Sequence, residues 1–138
     1  MKKTLLITML LCLTLSVMAQ DKYELYKCSE LSSRSKIDNK WTEWEDNECD
    51  ILVRMCITEN KLEINNQAKT VFYFGNTLST KSLIDEDGDV YTQIEWTGYD
   101  QEGIKCHLIS LDWTHLKNRN FIIAYNNFEI IYRSLILN

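Results

Sequence analysis

The sequence predicts an all-β domain, an antiparallel meander of about eight or nine short strands closed into a small barrel. Three observations carry that expectation. Runs rich in Tyr, Phe, Trp, Ile, Val and Thr recur roughly every eight to twelve residues, separated by Asn, Asp and Gly clusters. Within the runs apolar and polar residues alternate with a period of two: Val90, Thr92, Ile94 and Trp96 share one face, and Tyr91, Gln93, Glu95 and Thr97 the other. In an earlier run Ile51, Val53, Met55 and Ile57 oppose Leu52, Arg54, Cys56 and Thr58 in the same way. Finally, no segment offers the ten or so residues of 3.6 periodicity that a crossover helix requires, which excludes a parallel βαβ sheet. The 138 residues contain no proline, where average usage of about 5% would supply about seven. Proline cannot donate to a ladder, so its absence suits a chain in which most segments are paired.

Taken in order, the chain begins with Lys2 and Lys3, an uncharged stretch from Thr4 to Val17, and Val17, Met18, Ala19, where small residues stand at −3 and −1. This reads as an export signal over residues 1–19, cleaved after Ala19. It stops short of the twenty or so apolar residues of a membrane span. Residues 20–138 then form one domain, large enough for a single modest core. Tyr23 to Cys28 is the first strand. The polar run Glu30 to Glu48 admits a short lid helix, an irregular flap or a hairpin. The hairpin is preferred, with the first strand continuing to Ile37, turning at Asp38 and Asn39, and returning through Trp41. Asp50 to Thr58, Lys61 to Ile64, and Lys69 to Phe74 follow. Gly75 and Asn76 separate this last strand from Leu78 to Ile84, which ends at the acidic turn Asp85, Glu86, Asp87, Gly88. Asp89 to Tyr99 and Ile104 to Asp112 flank the turn at Asp100 to Gly103. Asn120 to Tyr125 and Phe128 to Ile136 flank Asn126 and Asn127, a pair suited to the positive φ of a tight hairpin. Closure into a barrel removes exposed sheet edges, and a two-sheet β-sandwich is the alternative use of the same strands.

Charge narrows the partners. Removing the leader takes away two lysines and no acids, leaving 13 basic against 20 acidic residues, a net charge of −7. The basic residues stand singly among acids, so nucleic acid and an anionic membrane surface are poor partners. Cys28, Cys49, Cys56 and Cys106 remain beyond the leader. In an oxidising compartment they permit two disulfides in three connectivities, and they equally suit buried free thiols. No Cys-x-x-Cys spacing supports a zinc site, and no metal or cofactor is implied.

The leader ending in Ala19 and Gln20, the early pair Trp41 and Trp44, and the hairpin meander resemble small exported proteins of Gram-negative bacteria. The strand order is similar to that of lipocalin-like (calycin) barrels. That resemblance implies a ligand cavity in the barrel mouth. Where lipocalins carry Gly-x-Trp near the first strand, this chain has Asn39-Lys40-Trp41.

Catalytic constellations are sparse. His115 lies three residues after Asp112 with Ser110 nearby, a spacing that does not create the attack geometry of a hydrolytic triad. Cys106 and His107 are adjacent on one strand, so they point to opposite faces and cannot form a thiolate–imidazolium pair. Glu43, Glu45, Asp46 and Glu48 are dense, as paired glycosidase carboxylates require, yet they sit in a solvated run. The run from Asp85 to Asp89 echoes a calcium loop, but a full loop would place Glu where Trp96 stands. It reads better as a hairpin turn with Gly88 at positive φ.

Aromatic residues are the remaining lead. Trp41, Trp44, Trp96, Tyr99 and Trp113 are the candidate ligand-binding residues, able to stack on a sugar or enclose an apolar ligand if they line the mouth, and otherwise to serve as core and cross-strand pairs. The sequence therefore points to an exported, non-enzymatic binding module, periplasmic or secreted, holding a small molecule or glycan at one end of a β-barrel. The alternative is a protein-interaction or inhibitor-like domain that acts through exposed loops such as Glu30 to Glu48 around a filled core.

Overall fold

The computed structural model describes residues 22–137. The export signal read from residues 1–19 lies outside them. Nine strands follow one another as an antiparallel meander: β1 (Tyr23–Ile37), β2 (Lys40–Trp41), β3 (Glu45–Cys56), β4 (Lys61–Asn65), β5 (Lys69–Ile84), β6 (Val90–Asp100), β7 (Lys105–Trp113), β8 (Asn118–Ala124) and β9 (Phe128–Ile136). A single 3₁₀ turn, Thr114–Leu116, joins β7 to β8. Among the described residues no helix is long and apolar enough to cross a membrane.

The ends of the meander meet. β9 pairs with β1 from Tyr26↔Ile136 to Ser35↔Phe128, which closes a hydrogen-bonded ring through β1 and β3 to β9 and leaves β2 as a short flap on β1. This ring, rather than two separate sheets, is the architecture. One line of register leaves β1 at Tyr23 and runs through Cys56, Lys61, Tyr73, Tyr99 and Lys105. Two residues further along β7, the line from His107 passes Ala124 and Glu129 and rejoins β1 at Arg34. The strands are thus strongly tilted, with a stagger of about a dozen residues around the ring.

Alternation decides what fills the ring. Tyr26, Cys28, Ile51, Val53, Leu62, Ile64, Phe72, Cys106, Leu108, Phe121, Ile123 and Tyr132 form one buried cluster, so the middle of the barrel is occupied by side chains. Each fully buried Leu, Ile or Phe contributes about 1.5–3 kcal/mol relative to exposure. Tyr26 and Phe121 meet edge to face at 5.1 Å, a preferred aromatic geometry. At Gly98, facing this interior, an added Cβ would lie 2.7 Å from Leu108 Cδ1, so glycine is what lets Leu108 reach the centre.

Two irregularities bend the strands. Between Cys28 and Glu30 the register of β1 shifts against both neighbours, marking a bulge at Ser29. Before it Tyr26 and Cys28 point inward; beyond it Leu31 packs on the core, while Ser32 turns out under Asp46 and Arg133. The break expected at Gly75 and Asn76 is also a bulge. β5 continues through it, with register shifts from Phe74 to Ser79, because the Asn76 N–H finds Thr97 Oγ1 at 3.0 Å in place of a ladder partner. The hairpin turn at Asp38 and Asn39 is present, both residues at positive φ. Asn126 and Asn127 do join β8 to β9, but among the described non-glycine residues positive φ falls elsewhere, at Asn60 and Lys117 besides the Asp38–Asn39 pair. There the Tyr125 N–H closes the turn on the Phe128 carbonyl at 2.8 Å.

Candidate functional site

At the barrel end where β1 begins and β9 finishes, charged side chains share the inward phase of the core. On β8, Arg119 lies two residues before buried Phe121 and four before Ile123; on β7, Asp112 follows Leu108 and Ser110; on β1, Glu24 precedes Tyr26. The register sets Asp112 directly opposite Arg119. Burying a guanidinium at a barrel end is costly unless partners compensate. Here they do: the Arg119 side chain, 13% exposed, donates from Nη2 to Asp112 Oδ2 at 3.1 Å and from Nη1 to Glu24 Oε2 at 3.0 Å and to the Tyr26 hydroxyl at 2.7 Å. The Tyr26 hydroxyl in turn donates to Glu24. Burial first, then that bond to a carboxylate, holds the Tyr26 phenol above its ordinary pKa. The Arg119 Nε–H is buried without an acceptor.

This network forms one wall of an open pocket of about 370 Å³. Thr114, Lys117 and Asn118 bring further polar groups from the 3₁₀ turn and the start of β8, while Ile136 and Leu137 supply an apolar wall. Lys117, at φ 56°, turns the chain from the 3₁₀ turn into β8. Formal charges in the lining balance, with Glu24 and Asp112 against Lys117 and Arg119. The pocket size lies within the range of small-ligand sites, about 300–1,000 Å³.

The five aromatic candidates fall in four different places. Trp41 and Trp44 come together around the Arg34 guanidinium, which lies 4.7 Å from one ring centroid and 4.5 Å from the other while holding Glu129 at 2.9 Å. Trp96 faces inward and packs on Phe74 at 4.8 Å, beside a small cleft shared with Met55 and Cys56. Tyr99 lies on the outer face, in a groove with Lys105 and His107. Trp113 stacks on Tyr91 at 4.7 Å and donates its indole N–H to Asp85 Oδ2 at 2.9 Å.

The other sequence leads also resolve into places. Asp85 is occupied by its own turn: Oδ1 accepts the N–H groups of Asp87 and Asp89, Oδ2 accepts Trp113, and Gly88 has φ 85°. Among the described residues no group of three or more His, Cys, Asp and Glu is arranged to hold a metal ion. His115 pairs with Asp89 at 3.1 Å, whereas Asp112 belongs to Arg119 and Ser110 is buried in the core, so the three are not assembled as a triad. Cys106 is buried and His107 reaches Glu95 at 3.2 Å on the outer face, as strand alternation requires.

Sequence reasoning did not single out Arg119 or Glu24, and it weighed Asp112 only as a triad acid beside His115. Their signal was a charge in phase with core residues on three separate strands. Comparison with family models, with curated proteins and with solved structures gives no match to this chain.

Proposed function

We propose that this protein is a non-enzymatic binding module that takes a small, uncharged, hydroxyl-rich molecule, a glycan of one or two sugar units, in the Arg119 pocket at the end of the barrel. The observation that carries this reading is the convergence of Arg119, Glu24 and Asp112 on an open pocket of about 370 Å³. Carboxylates accept hydrogen bonds from hydroxyls, and Arg119, Lys117 and Asn118 donate to ring and hydroxyl oxygens. Ile136 and Leu137 offer an apolar surface of the kind the C–H face of a sugar covers. Balanced formal charge favours a neutral ligand over an anion, and four ionised groups in so small a space disfavour an acyl chain. The resemblance to lipocalin-like barrels implied a ligand at the mouth; this pocket is the place for one while the centre is filled by side chains. The export signal gives the protein a periplasmic or secreted setting in this reading.

The test is calorimetric titration with a panel of neutral mono- and disaccharides. Saturable binding of at least one sugar, abolished when Thr114→Trp fills the exposed pocket mouth, supports the reading. Equal binding by the variant, or no binding across the panel, counts against it.

A second reading, a protein-interaction domain, is favoured by the Trp41–Arg34–Trp44 stack. It stands on the flap beside exposed Ile37 and leaves Trp44 partly open to solvent. Exposed aromatic and Arg groups are the residues that dominate protein interfaces.

A further inference from the structure

We propose that Cys28 and Cys49 form a disulfide, the one bridge among the described residues and a covalent clasp across the base of the β1–β2–β3 flap, while Cys56 and Cys106 remain thiols. All four are thiols in the structure. The bulge at Ser29 sets the stage, because it ends one inward phase of β1 on Cys28 just where β3 turns Cys49 toward the same interior. The two sulfurs stand 3.5 Å apart, the closest approach short of bonding, and each also lies against a backbone carbonyl, Glu30 O for Cys28 and Cys28 O for Cys49.

The other pair cannot be joined. Cys56 ends β3 and Cys106 begins β7, with β4, β5 and β6 between them on one side of the ring and β1, β9 and β8 on the other. At a strand spacing of about 4.8 Å, opposite walls of such a ring exceed the roughly 7 Å limit between bridged Cα atoms. Of the three connectivities open to four cysteines, none is therefore completed, and one bridge is made.

Access is asymmetric, and it orders the chemistry. Cys28 is fully buried, and its thiol is pushed up to about 12 by burial first and then by the neighbouring Cys49 thiol. Cys49, though packed on the core, is partly exposed and borders an open cleft that Ser29, Glu30, Asp46, Asn47 and Glu48 also line. The Cys49 thiolate attacks a small disulfide donor of the glutathione disulfide class, forming a mixed disulfide and releasing one donor thiolate. Cys28 then loses its proton and attacks the Cys49 sulfur, forming the Cys28–Cys49 bond and expelling the second donor thiolate. Two thiols are oxidised by two electrons, and one donor disulfide is reduced to two thiols. The bridge encloses the flap that carries Trp41 and Trp44, restricting its opening in the unfolded chain.

The experiment uses the full chain, folded, in a buffer of oxidised and reduced glutathione, followed by denaturation, thiol alkylation and tryptic digestion without reductant. It does not depend on where the protein resides or on what its pocket binds. The expected result is alkylation of Cys56 and Cys106 but of neither Cys28 nor Cys49, with the peptides 28–34 and 41–54 joined. Cys28→Ser is expected to leave Cys49 carrying one glutathione. Alkylation of Cys28 and Cys49 as well as Cys56 and Cys106, glutathione retained on Cys49 of the unmutated chain, or a linked peptide containing Cys56 or Cys106 would overturn the proposal.

Discussion

Asp100 closes the β6–β7 turn with the same set of hydrogen bonds that Asp85 uses to close the β5–β6 turn. In each, Oδ1 accepts the backbone N–H groups two and four residues on, Oδ2 accepts from an aromatic side chain, and a glycine three residues on takes positive φ. Trp113 is the aromatic donor to Asp85 and Tyr125 the donor to Asp100. Both carboxyls are held below their usual range. The Asp89 N–H acts first on Asp85 and the Ile104 N–H first on Asp100, against an opposing effect of desolvation.

This gives an acid-side prediction with a definite sign. A carboxyl with a depressed folded pKa stabilises the fold fully above its unfolded value of about 3.9 and loses that contribution as pH falls through the lower folded value. The Tm is therefore expected to drop from about pH 4 downward. The double variant Asp85→Asn, Asp100→Asn is expected to melt lower at pH 7 and to show a flatter acid limb. Scanning calorimetry between neutral pH and strong acid checks both, and an unchanged acid limb would contradict the assignment.

Arg119→Met removes a cation from between two carboxylates and a phenol at the barrel end. Breaking a largely buried ion pair from one side costs about 2–4 kcal/mol. Urea unfolding measures it. Combined with Asp112→Asn, the loss is expected to be smaller than the sum of the two single losses, because both variants remove the same Nη2–Oδ2 contact.

Gly98 and Leu108 test how tightly the centre is filled. Gly98→Ala forces a methyl against Leu108 and within 3.0 Å of the Tyr73 carbonyl, costing about 1–3 kcal/mol. Leu108→Ala empties a fully buried site at about 2–5 kcal/mol. Their combination is expected to cost less than the sum, since the new methyl enters the space that Leu108 leaves. Strict additivity in a double-mutant cycle would contradict the packing described.

Glu63 is 2% exposed although it lies on the outer face, covered by Lys69 at 3.1 Å, Arg54 at 3.4 Å and Lys61 at 3.5 Å. Burial alone would raise its carboxyl, but the three cations outweigh it and hold the carboxyl low. Glu63→Gln is expected to lower stability by about 1 kcal/mol in dilute buffer and by less at high salt. Denaturant titrations at two ionic strengths separate the outcomes.

Much of this was legible in the sequence. The alternation that put Ile51, Val53 and Met55 on one face of a strand, and Ile94 and Trp96 on one face of another, marked strand type and the inner surface, and the lack of any crossover helix marked the antiparallel direction. Asp38 and Asn39 announced their own turn. Gly75 and Asn76 misled because the same residues that end a strand also make a bulge, and the choice depended on Thr97 across the ladder. Arg119 was hidden for a related reason. A charge in phase with Phe121 and Ile123 is unusual, but its meaning depended on Glu24 and Asp112 arriving from strands 95 and seven residues away in sequence, which closure of the ring decides. The aromatic residues were visible, but their grouping was not, since Trp41 and Trp44 share Arg34 whereas Trp113 belongs to a turn carboxylate.

The most direct test of the binding account is a titration of the ¹⁵N-labelled protein with neutral mono- and disaccharides, followed by NMR at the Arg119 Nε–H and the four indole N–H groups. The Arg119 Nε–H, buried and without an acceptor, reports the pocket, and Trp41 and Trp44 report the flap. The account predicts that at least one sugar shifts Arg119 saturably while Trp41 and Trp44 stay still. No movement at Arg119 with any sugar, or movement confined to Trp41 and Trp44, would contradict it.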